Sequence, residues 1–440
     1  MIDVQILFQM IKKRVDVVTL GCSKNLVDSE LLIKQFQAGG FTVEHDSSNP
    51  KGEIVVINTC GFIGDAKEES IETILNFADA RKRGKIKKLF VMGCLSERYV
   101  DQLSDEIPEV DKYYGKFNWK DLIADLGMSY RADLINERSL TTPDHYAYLK
   151  ISEGCNRTCS YCAIPLITGK HQSRTIESLV DEAHRLAAKG VKELQVIAQD
   201  LSYYGLDTYK KRMLAPLVEQ LSQVDGIEWI RLHYAYPAGF PTDVLDVMAA
   251  SPKVCNYLDI ALQHISDPML KAMRRNVTKA ETLELVQLFR DKVPGIHLRT
   301  TMIAGHPGET EADFLELLDF VKQTRFERLG VFPYSHEEDT YSYKNYQDDI
   351  PDEIKQERAD AIMSLQNGIS RDINEAKVGS RIKVIIDREE DGYYVGRSEF
   401  DSPEVDPEVL VSSAEPLTPG SFYEVEVTGA EDYDLLAHVV

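Results

Sequence analysis

Between Val15 and Ser335, short apolar runs rich in Val, Ile and Leu alternate with longer amphipathic stretches, and this alternation constrains the fold more than any other feature. VDVVTL, GEIVVINT and KKLFVMG read as buried strands. DSELLIKQFQAGG and KEESIETILNFADARKRG, each stopping on glycine, read as the helices between them. Such repetition implies right-handed crossovers and a parallel sheet whose strands all end on one edge. A cysteine stands just past each strand: Cys22, Cys60 and Cys94. Parallel topology brings the three to that edge, where ligand crevices form, although they lie 38 and 34 residues apart. Gly21, Gly61 and Gly93 flank them and permit bends beside a bulky group.

This α/β domain is expected over 14–135, after a short leader at 1–13. The irregular stretch RADLINERSLTTPDH then opens a second series over 141–372. Its strands are HYAYLKIS, VKELQVIAQD, IEWIRLHYAYP, YLDIALQH, IHLRTTMIAGHPGE and RLGVFPYS, with helical patterns between. Six such units predict a partial (βα)6 barrel, more open than the eight-stranded form, with chemistry at the carboxyl ends of its strands. The loop after the first strand, EGCNRTCSYCAIP, carries Cys155, Cys159 and Cys162 in CxxxCxxC spacing, with Tyr161 before the third. Three thiolates on one loop can hold three corners of a cubane iron–sulfur cluster and leave one iron open to an exogenous ligand. A zinc knuckle would want a fourth ligand at regular spacing, and none is adjacent; three unrelated thiols are the other plain alternative. The arrangement resembles the radical S-adenosylmethionine (SAM) superfamily, which implies that SAM chelates the open iron and is cleaved to a 5′-deoxyadenosyl radical.

That resemblance makes the polar residues at the strand ends candidate SAM contacts. Gln199 and Asp200 end the second strand, His233, Tyr234 and Tyr236 the third, Gln263 and His264 the fourth, and Arg299 lies on the fifth. With Tyr161, the residues Gln199, Asp200, Gln263 and Arg299 form the expected cofactor-binding set; several of these strand-end groups could equally close hydrogen bonds at a barrel rim. In the turn GHPGE and the residues after it, Thr310, Glu311 and Asp313 read in part as a helix cap.

A helical linker, PDEIKQERADAIMSLQNGISRDINEA, leads to residues 374–440, whose alternating pattern and Asp391-Gly392 turn predict a five-stranded β-barrel. Small barrels of this kind often bind nucleic acid. This one carries 5 Lys and Arg against 16 Asp and Glu, half of the chain's net −22. Phosphate binding needs the opposite sign. A basic protein surface is the complementary partner, with Glu399, Asp401, Glu404, Asp406 and Glu408 as the expected docking loop; a solvated acidic face is the bland reading. The chain has no apolar run of about eighteen residues, so no membrane partner is expected. Seven cysteines without a secretion signal suit a reducing, cytoplasmic setting, with Cys255 left as a buried structural thiol.

GCSKN, NTCGF, GCLSER, the CxxxCxxC loop and a final small β-barrel, in that order, resemble the methylthiotransferase family over nearly the whole chain from Val15. The resemblance implies two 4Fe–4S clusters: a radical-SAM cluster on Cys155, Cys159 and Cys162, and an auxiliary cluster on Cys22, Cys60 and Cys94. It names the last domain TRAM, and it implies an external electron donor. Within the family, GRSEFDSPEVD and the closing EDYDL resemble the branch that modifies an aspartate of ribosomal protein S-twelve, free or in the small subunit, and the acidic barrel points the same way. Ala261 stands where the family often has proline, and His306 where it often has an aromatic. A tRNA adenosine methylthiotransferase shares every cysteine and is disfavoured by the barrel's charge. An electron-transfer or cluster-carrier protein would not need polar strand ends.

Overall fold

The computed structural model describes residues 14–47 and 52–440; the expected leader lies outside them. The chain divides into two compact units, one running to Thr141 and including Ala163–Lys170, the other formed by Thr142–Cys162 and His171–Val440. No helix among the described residues is long and apolar enough to cross a membrane.

The first unit is built on a parallel sheet of strands β1 (Arg14–Thr19), β2 (Thr42–His45), β3 (Ile54–Thr59), β4 (Lys88–Gly93) and β5 (Lys112–Tyr113), in the order β2-β1-β3-β4-β5. Alternate residues of a strand face opposite sides. Val15, Val17, Val56, Phe90 and Met92 meet Leu32 and Phe36 of helix α1 (Ser23–Ala38) on one face. Val55, Ile57, Leu89 and Val91 meet Ile74 and Ala78 of helix α2 (Gly64–Lys82) and Leu95 of helix α3 (Cys94–Glu106) on the other. The three expected strands are neighbours, so their carboxyl ends are too. The edge strands β2 and β5, with four and two residues, are too short to give a period and were not expected.

The second unit holds a six-stranded sheet of β6 (Tyr146–Lys150), β9 (Glu193–Ile197), β10 (Trp229–Ala235), β11 (Val254–Gln263), β12 (His297–Ala304) and β13 (Arg328–Pro333), ordered by chain position and paired in parallel throughout. The short strands β7 (Ser152–Glu153) and β8 (Gln172–Ser173) pair beside it. The helix Asp352–Glu375 runs on to a closed barrel of β14 (Arg381–Glu390), β15 (Tyr393–Ser398), β16 (Val409–Ser412), β17 (Phe422–Ala430) and β18 (Leu435–Val439).

The barrel's β15–β16 loop corrects one expectation. It turns inward and meets the amino ends of the six-stranded sheet. Asp401 accepts from Arg328 at 2.6 Å, and Asp406 accepts from Tyr257 at 2.7 Å and Arg299 at 3.2 Å. Glu404 accepts from the hydroxyls of Tyr146 and Tyr148, both at 3.0 Å, and Glu399 from the backbone of Asn256 at 3.2 Å. Phe400 stacks on His297 at 3.9 Å. Arginines buried at strand starts require counterions, and this loop supplies them. Of the five carboxylates expected to dock a partner, only Glu408 lies outside this arrangement, paired with Arg388.

Candidate active site

Each cysteine of the first unit is held by a different strand end. Cys94 opens α3, with Gly93 as its cap at φ +103°. A Cβ on Gly93 would lie 2.6 Å from the Thr59 carbonyl oxygen, so only glycine lets β4 turn this close to β3. Gly21, at φ +88°, would bring a Cβ to 2.8 Å from the Cys60 sulfur, which puts the turn before Cys22 directly against that thiol. Asn25 ties the stems together: its amide donates to the carbonyls of Leu20 and Thr59, at 3.1 and 3.0 Å, and its Oδ1 accepts from the Cys94 thiol at 3.5 Å. Ser70 bonds the backbone of Cys60 on both sides, at 3.0 Å.

Burial pushes the Cys60 thiol up. It pushes Cys94 up to about 12, opposed by the Lys116 ammonium and reinforced by negative charge on Cys22 and Cys60. Thiols that feel one another in this way lie within one electrostatic neighbourhood. Each must lose its proton to ligate, so binding would release protons and relieve this mutual cost. Cys22 is exposed, Cys94 half-buried and Cys60 buried, so the group opens to one side.

In the second unit, the CxxxCxxC loop follows β7, with Gly154 at φ +81°. It is pinned along its length. The backbone N–H of Arg157 donates to the Cys155 sulfur at 3.4 Å, while its side chain donates to Asp200 at 2.7 Å and lies over the Tyr236 ring at 3.9 Å. Ser160 donates its N–H to Met273 at 3.0 Å, accepts from Ser342 at 2.7 Å, and has its hydroxyl 3.3 Å from His306. Arg275 donates to the Cys159 sulfur at 3.3 Å and to the Tyr161 hydroxyl at 3.1 Å. Burial alone would lower the Arg275 pKa; Tyr161 and Cys159 more than reverse that. Burial lifts Cys155 to about 11, against the bond from Arg157. A buried guanidinium and a backbone N–H thus place hydrogen-bond donors on two of the loop's three sulfurs.

The strand-end residues divide. Asp200 caps the turn after β9 through Ser202 at 2.8 Å and holds Arg157, so it serves the cysteine loop. Gln199 donates to Glu153 at 2.5 Å beside the same loop. Gln263 and Tyr234 end adjacent strands with φ of +75° and +67°, conformations that non-glycine residues adopt at a cost of about 1–3 kcal/mol and that cluster at functional sites. Tyr161, half-buried, accepts from Arg275 through its hydroxyl. Arg299 is the exception. It is five residues back from Ala304 on β12, roughly 16 Å from the strand's carboxyl end, and its guanidinium is committed to Asp406 and Asp259. That placement gives no support to a role beside the cysteine loop. His233 likewise faces inward, 2.7 Å from Gln195. In the turn GHPGE, Glu309 accepts from Gly305 and pairs with Arg358, and Thr310 and Asp313 form a capping box, so this turn serves the fold. Both departures from the family pattern touch the loop's supports: His306 at Ser160, and Ala261 through its carbonyl, which accepts from Arg275. The sequence reading passed over Arg275 and Lys116, which no spacing connects to the cysteines they approach, and over Arg157 and Asn25, although Arg157 stands inside the CxxxCxxC loop and Asn25 inside GCSKN. Those two motifs and the paired arginines of MRRN were the available signals.

Among the described residues no three of His, Cys, Asp and Glu lie close enough to grip a single metal ion. A four-iron cluster makes a different demand, one thiolate at each of three separate irons. Two all-sulfur triads, with Gly21 and Gly93 beside the first and Gly154 beside the second at positive φ, offer the donor chemistry that such clusters take.

Three family models match the chain: the uncharacterised protein family UPF0004 over residues 14–115, the radical SAM superfamily over 149–321 and the TRAM domain over 378–440. The chain is 62% identical over 98% of its length to the whole of a protein of Parabacteroides distasonis named ribosomal protein uS12 methylthiotransferase RimO. It is 63% identical over 98% of its length to the whole of a protein of the same name from Porphyromonas gingivalis. Among solved structures, the radical SAM methyltransferase TsrM of Kitasatospora setae, with tryptophan and a SAM analogue bound, matches over 73% of each chain with a TM-score of 0.55 and 16% identity, a likeness of fold. An iron–sulfur cluster and SAM are the cofactors of this superfamily. The chain belongs to the RimO family of radical SAM methylthiotransferases.

Proposed function

We propose that this protein methylthiolates ribosomal protein uS12, replacing a β C–H of an aspartate by C–SCH₃, in the cytoplasm and with electrons from an external donor. The observation that carries the reading is identity above 60% over 98% of the chain with relatives that bear this name. In this reading residues 14–135 and 141–372 each hold one 4Fe–4S cluster, and 374–440 is the TRAM barrel.

A cluster with SAM supplies what no side chain can, removal of hydrogen from an unactivated carbon. The protein's residues prepare the sites. Cys155, Cys159 and Cys162 would hold the radical cluster, with the Arg157 N–H and the Arg275 guanidinium donating to the sulfurs of Cys155 and Cys159. Cys22, Cys60 and Cys94 would hold the second, with Asn25 fixing the stems. Tyr161, Gln199, Asp200 and Gln263 remain the candidates for SAM, and the two strained strand ends support that part of the reading. Tyr236, beneath both arginines, joins them. The exposed carboxylates Glu389, Asp391, Glu415 and Glu431 suit a basic ribosomal protein and repel tRNA phosphates.

Anaerobically reconstituted protein is expected to bind about eight irons per chain, as two cubanes require. Changing either cysteine triad to alanine should halve that. The Cys155, Cys159, Cys162 variant should lose SAM cleavage, whereas the Cys22, Cys60, Cys94 variant should retain uncoupled cleavage. Full iron in either triple variant would refute the assignment.

A further inference from the structure

Lys116 is a buried lysine directed at a cysteine triad, and nothing in the proposed reaction uses it. Its side chain is 4% exposed. The ammonium donates to Asp28 at 3.1 Å and to Asn25 Oδ1 at 3.5 Å. That same oxygen accepts from the Cys94 thiol at 3.5 Å, so one atom joins cation and sulfur, which lie within about 7 Å of each other. Its backbone is fixed as well: the Lys116 N–H donates at 2.8 Å to Glu97, on the helix that Cys94 opens.

Desolvating an ammonium is expensive even beside a carboxylate, and an apolar side chain would serve packing as well. The geometry points to a use for the charge: we infer that Lys116 is a positioning residue that raises the reduction potential of the cluster held by Cys22, Cys60 and Cys94, with Asp28 as its partial counterweight. The inference rests on the second-cluster reading above. Three thiolates and an added electron accumulate negative charge in a poorly hydrated place. A fixed cation a few ångströms away stabilises the reduced form more than the oxidised one, because the interaction scales with charge and falls off with distance and dielectric. Charged and hydrogen-bonding groups beside the ligands tune metal centres without ligating them. Asp28, Glu97 and Glu69 bring negative charge towards the triad, and Lys116 opposes all three. Arg98 adds a second cation, donating to the Gly61 carbonyl beside Cys60 at 2.9 Å.

The signs differ between partners, which separates charge from packing. The test uses full-length protein in which Cys155, Cys159 and Cys162 are alanine, so that a single cluster reports. Iron is counted first, and the midpoint is then read by a redox titration followed by electron paramagnetic resonance. Lys116→Met should shift the midpoint negative by at least the ~59 mV that a tenfold change in the oxidised-to-reduced ratio represents for one electron. Lys116→Arg should stay near the parent, and Asp28→Asn should shift it positive. An unchanged midpoint in iron-replete Lys116→Met, or shifts of one sign in Lys116→Met and Asp28→Asn, would overturn the inference. A parent without iron would overturn the second-cluster reading, and this inference with it. Should Lys116→Met fail to take up iron, Asp28→Asn decides: a positive shift sustains the charge effect, and none or a negative one refutes it.

Discussion

Glu193, with no exposed side-chain surface, sits between Arg231 and Arg397 at 2.8 Å from each, and Arg397 continues to Asp387 at 2.6 Å. Removing one member of such a buried set leaves charges uncompensated, at about 3–5 kcal/mol. Arg397→Met is therefore expected to lower stability by that order in chemical denaturation, although Arg397 is remote from the cysteines in sequence. The buried histidines act in another pH range. Burial, with Lys377 and Arg328 nearby, lowers His297 to about 3, and burial lowers His306 to about 4. An unfolded histidine titrates near 6.5. Below that pH the unfolded chain takes up protons that the folded one refuses, so stability falls with acidification by roughly 1.4 kcal/mol per pH unit for each. Glu193, Asp387 and Asp401 are held below the usual carboxylate range, so their loss begins only below about pH 4. Between pH 6 and 5 the histidines should dominate. A His297→Asn apoprotein should show a shallower decline there, and a slope equal to the parent's would count against His297 being neutral in the fold.

At the scale of elements, the cysteine-bearing strands were legible because two periods coincide: apolar runs that mark β1, β3 and β4, and a cysteine after each. Their adjacency follows from parallel topology, and Gly93 shows how it is achieved. Gly93→Ala is expected to force β4 away from the Thr59 carbonyl and displace Cys94. Reconstituted variant should lose about half its iron, with SAM cleavage retained; an undiminished iron count would mean the close approach is dispensable. The β15–β16 loop was half legible. Its charge could be counted, but a count does not tell a free carboxylate from one that neutralises Arg299 or Arg328, some 70 to 110 residues away in the chain. The placement of Arg299, paired with Asp406 and Asp259 near the start of β12, was not legible for the complementary reason: a strand shows its period in sequence, whereas which of its residues lie at the end that faces the chemistry depends on where the strand stops. Lys116 was invisible because a contact 91 residues away leaves no local pattern, whereas Asn25 stood in view within GCSKN without showing that its amide ties the strand ends together.

At the scale of the molecule, the barrel is part of the second unit. Trp229, Cys255 and Tyr257 share a buried cluster with Ile385, and Phe422 packs on it. Truncation after Lys377 would uncover these residues, strip counterions from Arg299 and Arg328, and remove backbone acceptors from Arg231. The shortened protein is expected to be insoluble or to lose its cooperative transition, whereas a barrel that served only for docking could be removed with the core intact. The acceptor and the bond formed on it are read most directly with both candidate substrates present. Reconstituted enzyme, SAM and a reductant should be given purified uS12 and tRNA together, and both products analysed by mass spectrometry. The account predicts the gain of one SCH₂ on a single aspartate of uS12 and unaltered tRNA. Methylthioadenosine in the tRNA, with uS12 unchanged, would contradict it.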